Sequence, residues 1–103
     1  MTGWTDVAAE ADLFEGAAIA VNANGHEVAL YSQDGAVFAT DNQCTHGDAR
    51  LCDGYLEGFE IECPFHQGRF DIRTGTATCA PATEALKTWP VKIEAGRVYL
   101  DLA

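Results

Sequence analysis

The feature that most constrains the fold is a succession of short β-prone runs separated by Gly, Asn and Asp. The runs are residues 17–21, 27–31, 37–40, 60–63, 69–72, 87–93 and 97–101. Several alternate apolar and polar residues, as half-buried strands do. The breaks at 22–25 and 33–35 are compact and end in Gly, which favours β-hairpins, and residues 94–96 predict another. The pattern therefore predicts an all-β, antiparallel fold, either a sandwich or a small barrel.

Two stretches depart from this pattern. Residues 8–14 are the one segment with helical character, and they are too few to matter structurally. Residues 42–58 have little strand character, and a long irregular segment in a small domain is usually functional. Because 103 residues can enclose one modest core, we expect a single domain over 1–103.

Charge and hydropathy exclude several classes of partner. The formal net charge is −10, and residues 1–49 carry eight acidic residues with no lysine or arginine. Nucleic acid and anionic membrane surfaces are disfavoured, because both attract clustered basic residues. The acids either keep the surface soluble or steer a basic partner. With no apolar run near the roughly 20 residues of a membrane span and no secretory signal, we expect a cytoplasmic protein.

Two short arms carry metal-ligand chemistry. One is Cys44-Thr45-His46 and the other is Cys63-Pro64-Phe65-His66. Each arm offers one thiolate and one imidazole, so the pair can hold one tetrahedral zinc or an iron–sulfur cluster with mixed ligands. Zinc sites usually pair Cys with Cys and His with His, whereas mixed arms suit a two-iron cluster that takes two Cys and two His. The spacing favours iron–sulfur and leaves zinc as the alternative.

The two arms together resemble the Rieske 2Fe-2S signature, Cys-x-His followed by Cys-x-x-His. The stretches that carry the resemblance are residues 44–47, Cys-Thr-His-Gly, and residues 63–71, Cys-Pro-Phe-His-Gln-Gly-Arg-Phe-Asp. The flanking segments 55–58, 79–81 and 90–94 are also similar to the small Rieske ferredoxins of bacterial aromatic-ring-hydroxylating dioxygenases, most of all the naphthalene-type systems.

The resemblance implies a fold and a ligand set. The fold would be a Rieske-type antiparallel β-sandwich with a small cluster-binding subdomain of two loops, roughly residues 42–83. Cys44 and Cys63 would bind the inner iron of one 2Fe-2S cluster, and His46 and His66 the outer iron.

The resemblance also implies a function. The protein would be a monomeric one-electron carrier that converts no organic substrate. It would accept electrons from a flavin-containing, NAD(P)H-oxidising reductase and deliver them to a terminal Rieske non-haem iron oxygenase. Two alternatives remain open: a zinc-stabilised structural or interaction domain, and a tightly bound small subunit of another redox enzyme.

Departures from the respiratory Rieske proteins predict a low reduction potential. Ala49 and Phe65 stand where those proteins have two further cysteines, and Gly68 and Phe70 where they have Ser and Tyr hydroxyls. Fewer hydrogen bonds to the cluster stabilise its reduced state less. We therefore expect the bottom of the Rieske range, about −150 mV.

Residues near the arms allow simpler interpretations. Leu51 and Tyr55 form an apolar docking patch or pack in the core, with the core favoured. Cys52 and Cys79 are small buried residues or free thiols. Pro81 resembles the proline of a loop that covers one side of the cluster or is an ordinary turn proline, and Phe65 shields the cluster or packs within its loop. For Arg50 and Arg69 we expect local ion pairs with Asp48, Asp53 or Asp71 rather than contact with a partner.

Overall fold

The computed structural model describes residues 4–45, 49–64, 68–80, 82 and 84–101, which form strands joined by turns and loops. The strands are β1 (Trp4–Ala9), β2 (Ala18–Ala23), β3 (His26–Gln33), β4 (Ala36–Asp41), β5 (Tyr55–Glu57), β6 (Glu60–Glu62), β7 (Arg69–Asp71), β8 (Ala77–Cys79), β9 (Val91–Glu94) and β10 (Arg97–Asp101). Short 3₁₀ turns lie at Glu10–Asp12 and Leu51–Asp53.

Three antiparallel sheets result from these strands. Their orders are β1-β10-β9, β2-β3-β4 and β5-β6-β7-β8. Every strand pair is antiparallel, so the predicted all-β antiparallel fold is confirmed. No helix in the described ranges is long and apolar enough to cross a membrane.

The Gly-terminated breaks between strands form tight hairpin turns at three places. Each has two successive residues with positive φ, the geometry of a type I′ turn, which matches the twist of paired strands. These residues are Asn24 (50°) with Gly25 (85°), Asp34 (56°) with Gly35 (77°), and Ala95 (52°) with Gly96 (76°). The turns set the register of the strands on either side, which aligns the inward-facing side chains.

Strand β3 is buried on both faces. Val28 and Leu30 lie in one apolar core, whereas Ala29 and Tyr31 lie in a second, and all four are fully buried. Successive strand residues point to opposite faces, so β3 separates the two cores. The first core also holds residues of β10 and lies between the two three-stranded sheets. The second extends to the four-stranded sheet and the loops beside it.

The prediction of helical character over 8–14 is wrong. Ala8 and Ala9 belong to β1 and pair with Val98 and Arg97 of β10, and only Glu10–Asp12 make a 3₁₀ turn. Long-range pairing here overrides the local propensity. For the same reason β1 was not predicted. Strands β5 and β8, of three residues each, were not predicted either.

The run at 87–93 is also shorter than predicted. Its strand is Val91–Glu94, and before it only Thr88 pairs, in an isolated bridge with Thr40. Pro90 precedes the strand and lacks the N–H that a sheet interior requires.

Candidate metal centre

The first arm begins just after β4, in a loop that closes on itself. The Cys44 N–H donates to the Ala49 carbonyl at 3.0 Å, and one residue outward Gln43 and Arg50 form an antiparallel bridge. The Cys44 side chain is buried. The loop from 44 to 49 therefore starts from a buried thiol at its base.

The second arm repeats this arrangement between β6 and β7. The Cys63 N–H donates to the Gly68 carbonyl at 2.7 Å, and Cys63 is fully buried. In both loops the cysteine N–H bonds to the carbonyl five residues later. The two cysteines therefore occupy the same position in their loops, at the first residue of a hydrogen-bonded turn.

Both predicted thiols lie in the same apolar core. Cys44 and Cys63 share the second core with the fully buried Leu51, Ile61 and Phe70. The structure therefore brings together the two cysteines that the sequence singled out. His46 and His66, the other two predicted ligands, lie outside the described residues, as do Phe65 and Pro81.

A third segment packs beside the first loop. The Thr45 hydroxyl donates to the Glu84 carbonyl at 2.9 Å, and the Ala82 N–H donates to the Cys79 carbonyl at 3.2 Å. Ala82 is itself buried in the core that holds the two cysteines. Ala82 and Glu84 therefore border the same region as the arms.

Arg69, directly after the second loop, is held by three glutamates. Its guanidinium lies 2.9 Å from Glu62, 3.4 Å from Glu57 and 3.5 Å from Glu60. The hydrogen bond to Glu62 is the main cause that raises the pKa of Arg69. Glu62 and Arg69 face each other across β6 and β7, so cross-strand register produces the pair.

The expectation of ion pairs within the chain is correct for Arg50 and Arg69, but their partners are glutamates rather than Asp53 or Asp71, and Asp48 lies outside the described residues. Arg50 pairs with Glu27 at 3.1 Å, and Asp71 pairs with Arg73 at 2.9 Å. The actual partners come from neighbouring strands and turns, whereas the prediction took residues close in sequence.

Sequence reasoning missed Asn42 and Glu27. Asn42 is fully buried two residues before Cys44, and its amide donates to the Glu27 carboxylate at 3.0 Å. That bond and the contact with Arg50 hold the pKa of Glu27 below its ordinary value. A lone Asn before a cysteine carries no distinctive sequence signal, so only the tertiary contacts reveal it.

The remaining neighbours divide between core and surface. Leu51 is fully buried, which confirms the prediction that it packs in the core. Tyr55 is 70% exposed, so the same prediction is wrong for Tyr55. Cys52 and Cys79 carry free thiols; Cys79 is exposed and Cys52 is half-buried, so neither is a fully buried residue.

The described donor set suits an iron–sulfur cluster. Two thiols lie in an apolar core, each at the base of a short loop, and thiolates are the usual ligands of such clusters. Phe70 is fully buried in that core and has no hydroxyl to donate to a sulfur.

A comparison with known families decides the assignment. The Rieske [2Fe-2S] domain matches residues 3–90. The chain belongs to the Rieske domain family. Members of this family bind a Rieske-type 2Fe-2S cluster, so the cluster predicted from the two arms is confirmed. The alternative of a zinc site is not supported.

Curated relatives match this Rieske domain over nearly its whole length. It is 57% identical over 100 residues to the ferredoxin component of the naphthalene 1,2-dioxygenase system of Pseudomonas putida, covering 97% of this chain and 96% of the relative. It is 43% identical over 104 residues to the ferredoxin component of the p-cumate 2,3-dioxygenase system of Pseudomonas putida, covering 99% of this chain and 88% of the relative.

Solved structures agree. The Rieske domain superposes on the Sphingomonas yanoikuyae B1 ferredoxin with a TM-score of 0.92 at 46% identity, covering 96% of this chain and 98% of that one. It superposes on a chain of the complex of reduced oxygenase and oxidized ferredoxin in carbazole 1,9a-dioxygenase with a TM-score of 0.91 at 37% identity, covering 98% and 94%. The predicted Rieske-type fold is therefore confirmed.

Proposed function

We propose that this Rieske domain is the electron-carrying ferredoxin of a multicomponent aromatic-ring dioxygenase. The observation that carries the proposal is the 57% identity to a naphthalene dioxygenase ferredoxin component across 97% of the chain and 96% of the relative. Such a component transfers electrons and does not transform the organic substrate. The aromatic substrate is then chosen by the oxygenase, which is a separate chain.

The proposed ligands are Cys44, His46, Cys63 and His66, within a cluster-binding part of roughly 42–83. When bound, the 2Fe-2S cluster takes up and releases one electron. The protein contributes two thiols at loop bases and an apolar core that keeps water away from them. The histidines complete the mixed ligand set that distinguishes Rieske clusters from all-cysteine ones.

The proposed partners are a flavin-containing reductase and a terminal Rieske non-haem iron oxygenase. The oxygenase is supported by the solved complex of reduced oxygenase and oxidized ferredoxin in carbazole 1,9a-dioxygenase, a chain of which is similar to this chain. The reductase is inferred from the need for an electron donor. We further propose that the protein is a cytoplasmic monomer.

The experiment that tests this function is electron paramagnetic resonance of the dithionite-reduced protein, with an optical spectrum and a redox titration beside it. We expect a reduced-cluster signal with the low average g-value of mixed His/Cys ligation and a potential of about −150 mV. A colourless, silent sample with one bound zinc per chain would overturn the proposal.

Raising ionic strength is expected to slow electron transfer between the reductase and this protein by roughly tenfold. The net charge of −10 attracts a basic docking surface, and salt shortens the range of that attraction from about 30 Å at 0.01 M to about 3 Å at 1 M. Stopped-flow rates across this range measure the effect, and reduction by a neutral small molecule is the control. A rate that salt does not change would reject steering and leave the carrier role intact.

A further inference from the structure

The Asn42 side chain is buried with all of its polar groups engaged. Asn42 and Thr40 are the two buried polar residues in the described part of the chain. The Asn42 Oδ1 accepts from the Cys52 N–H at 2.8 Å, and its Nδ2 donates to Glu27 Oε1 at 3.0 Å and contacts Cys52 Sγ at 3.4 Å. A buried amide with every partner in place favours one geometry, because each lost partner leaves an unsatisfied group.

The backbone of Asn42 forms hydrogen bonds to the same two segments as its side chain, which are β3 and the end of the first loop. Its N–H donates to the Glu27 carbonyl at 3.2 Å, and its carbonyl accepts from the Leu51 N–H at 2.7 Å. Asn42 therefore connects the start of the first loop to its end and to β3. Two further contacts join the two sides of the loop one and two residues further along from Asn42: the Gln43–Arg50 bridge and the Cys44–Ala49 hydrogen bond.

The first loop has less strand pairing at its ends than the second, because the isolated Gln43–Arg50 bridge is its one paired position in the described part of the chain. The second loop joins β6 and β7, which are hydrogen-bonded neighbours, so their register fixes its ends. The first loop leaves β4, and the next strand along the chain, β5, belongs to a different sheet. Among the described residues, 42 and 52 lie outside the paired strands, and the Gln43–Arg50 bridge is the only β-pairing that joins their two segments.

We infer that Asn42 is a positioning residue for Cys44: its buried amide closes the neck of the first loop and so holds the Cys44 thiol where the cluster needs it. The inference rests on the proposed role of Cys44 as a ligand. The Glu27–Arg50 ion pair alone does not account for this closure, since both side chains are about half exposed and such pairs contribute little. Glu27 acts instead as an acceptor for the amide.

Asn42→Ala tests the inference, with Thr40→Val as the matched control. Both changes remove a buried polar group, but Thr40 bonds to the Tyr31 hydroxyl at 2.8 Å and does not bridge the loop neck. The first measurement is the rate at which excess iron chelator removes the visible absorption of the cluster-loaded protein. The others are the electron paramagnetic resonance spectrum of the reduced protein and the midpoint of its unfolding in urea.

We expect Asn42→Ala to release the cluster about tenfold to a hundredfold faster, with altered g-values. We expect Thr40→Val to lower the urea midpoint without accelerating release. Equal release rates in the two variants would overturn the inference. Because the wild-type resonance signal is recorded beside them, that outcome is distinct from failure of the proposed function, in which the wild type itself is silent.

Two substitutions at Glu27 keep the test decisive if Asn42→Ala does not fold. Glu27→Gln retains an oxygen that can accept from the Asn42 amide, whereas Glu27→Ala removes it, and the side chain is about half exposed. We expect only Glu27→Ala to accelerate cluster release. If Glu27→Gln accelerates it equally, the ion pair rather than the amide closes the neck, and the inference fails.

Discussion

Replacing Cys44 with serine is expected to abolish the iron–sulfur cluster and to destabilise the fold. Cys44 is buried at the base of the first loop and shares a core with Cys63, so the loss of its thiolate removes a ligand and leaves a hydroxyl in apolar surroundings. Ligation and folding are coupled, because a bound metal group stabilises only the folded chain. Cys63→Ser should behave in the same way.

The measurement is iron content and visible absorption of the purified variants, followed by their thermal midpoints. The matched control is Cys79→Ser, which changes an exposed free thiol and should retain full colour and the wild-type midpoint. A coloured, redox-active double variant, Cys44→Ser with Cys63→Ser, would refute the ligand assignment.

Gly54→Ala is expected to destabilise the cluster-loaded protein by about 3 kcal/mol. A Cβ at this position would collide with the carbonyl oxygen of Glu62, and would lie 3.1 Å from the Glu62 carbonyl carbon and 3.2 Å from the Leu51 oxygen. All of these are backbone atoms, so no flexible side chain can move aside. Glu62 directly precedes Cys63, so the displacement reaches the second arm.

Thermal unfolding at one scan rate measures this effect, and a decrease of more than roughly 10 °C is expected for a domain of this size. Gly58→Ala is the control. Gly58 has a φ of 58° but nothing within 4 Å of an added Cβ, so it loses only about 1 kcal/mol to backbone strain. Equal losses in the two variants would show that the close approach at Gly54 is not the constraint.

The ligand chemistry was predictable because it resides in residue types and short spacings. Cys44 and Cys63 were identified from two mixed Cys/His arms, and the structure places both in one buried core. The hairpins were predictable for the same reason, since Asn24-Gly25 and Asp34-Gly35 supply locally the positive φ values that a tight turn requires.

Other features depend on segments far apart in the chain. The pairing of Ala8 and Ala9 with β10 makes the start of the predicted helical stretch part of a strand. The ion pair of Arg50 with Glu27 joins the end of the first loop to β3. The burial of Asn42 requires β3 and the end of the loop to meet. None of these contacts leaves a periodic or local signal.

The sequence by itself determined what this protein can bind and that its strands are antiparallel, because ligand identity and turn geometry are properties of a few adjacent residues. The tertiary structure decided how the site is held. β3 lies between two cores because Val28 and Leu30 face the core shared with β10, while Ala29 and Tyr31 face the core shared with the four-stranded sheet and the loops beside it. The neck of the first loop carries one isolated bridge, and the hydrogen bonds of the buried Asn42 side chain to Glu27 and Cys52 add to it, because the fold brings β3 and the end of the loop together.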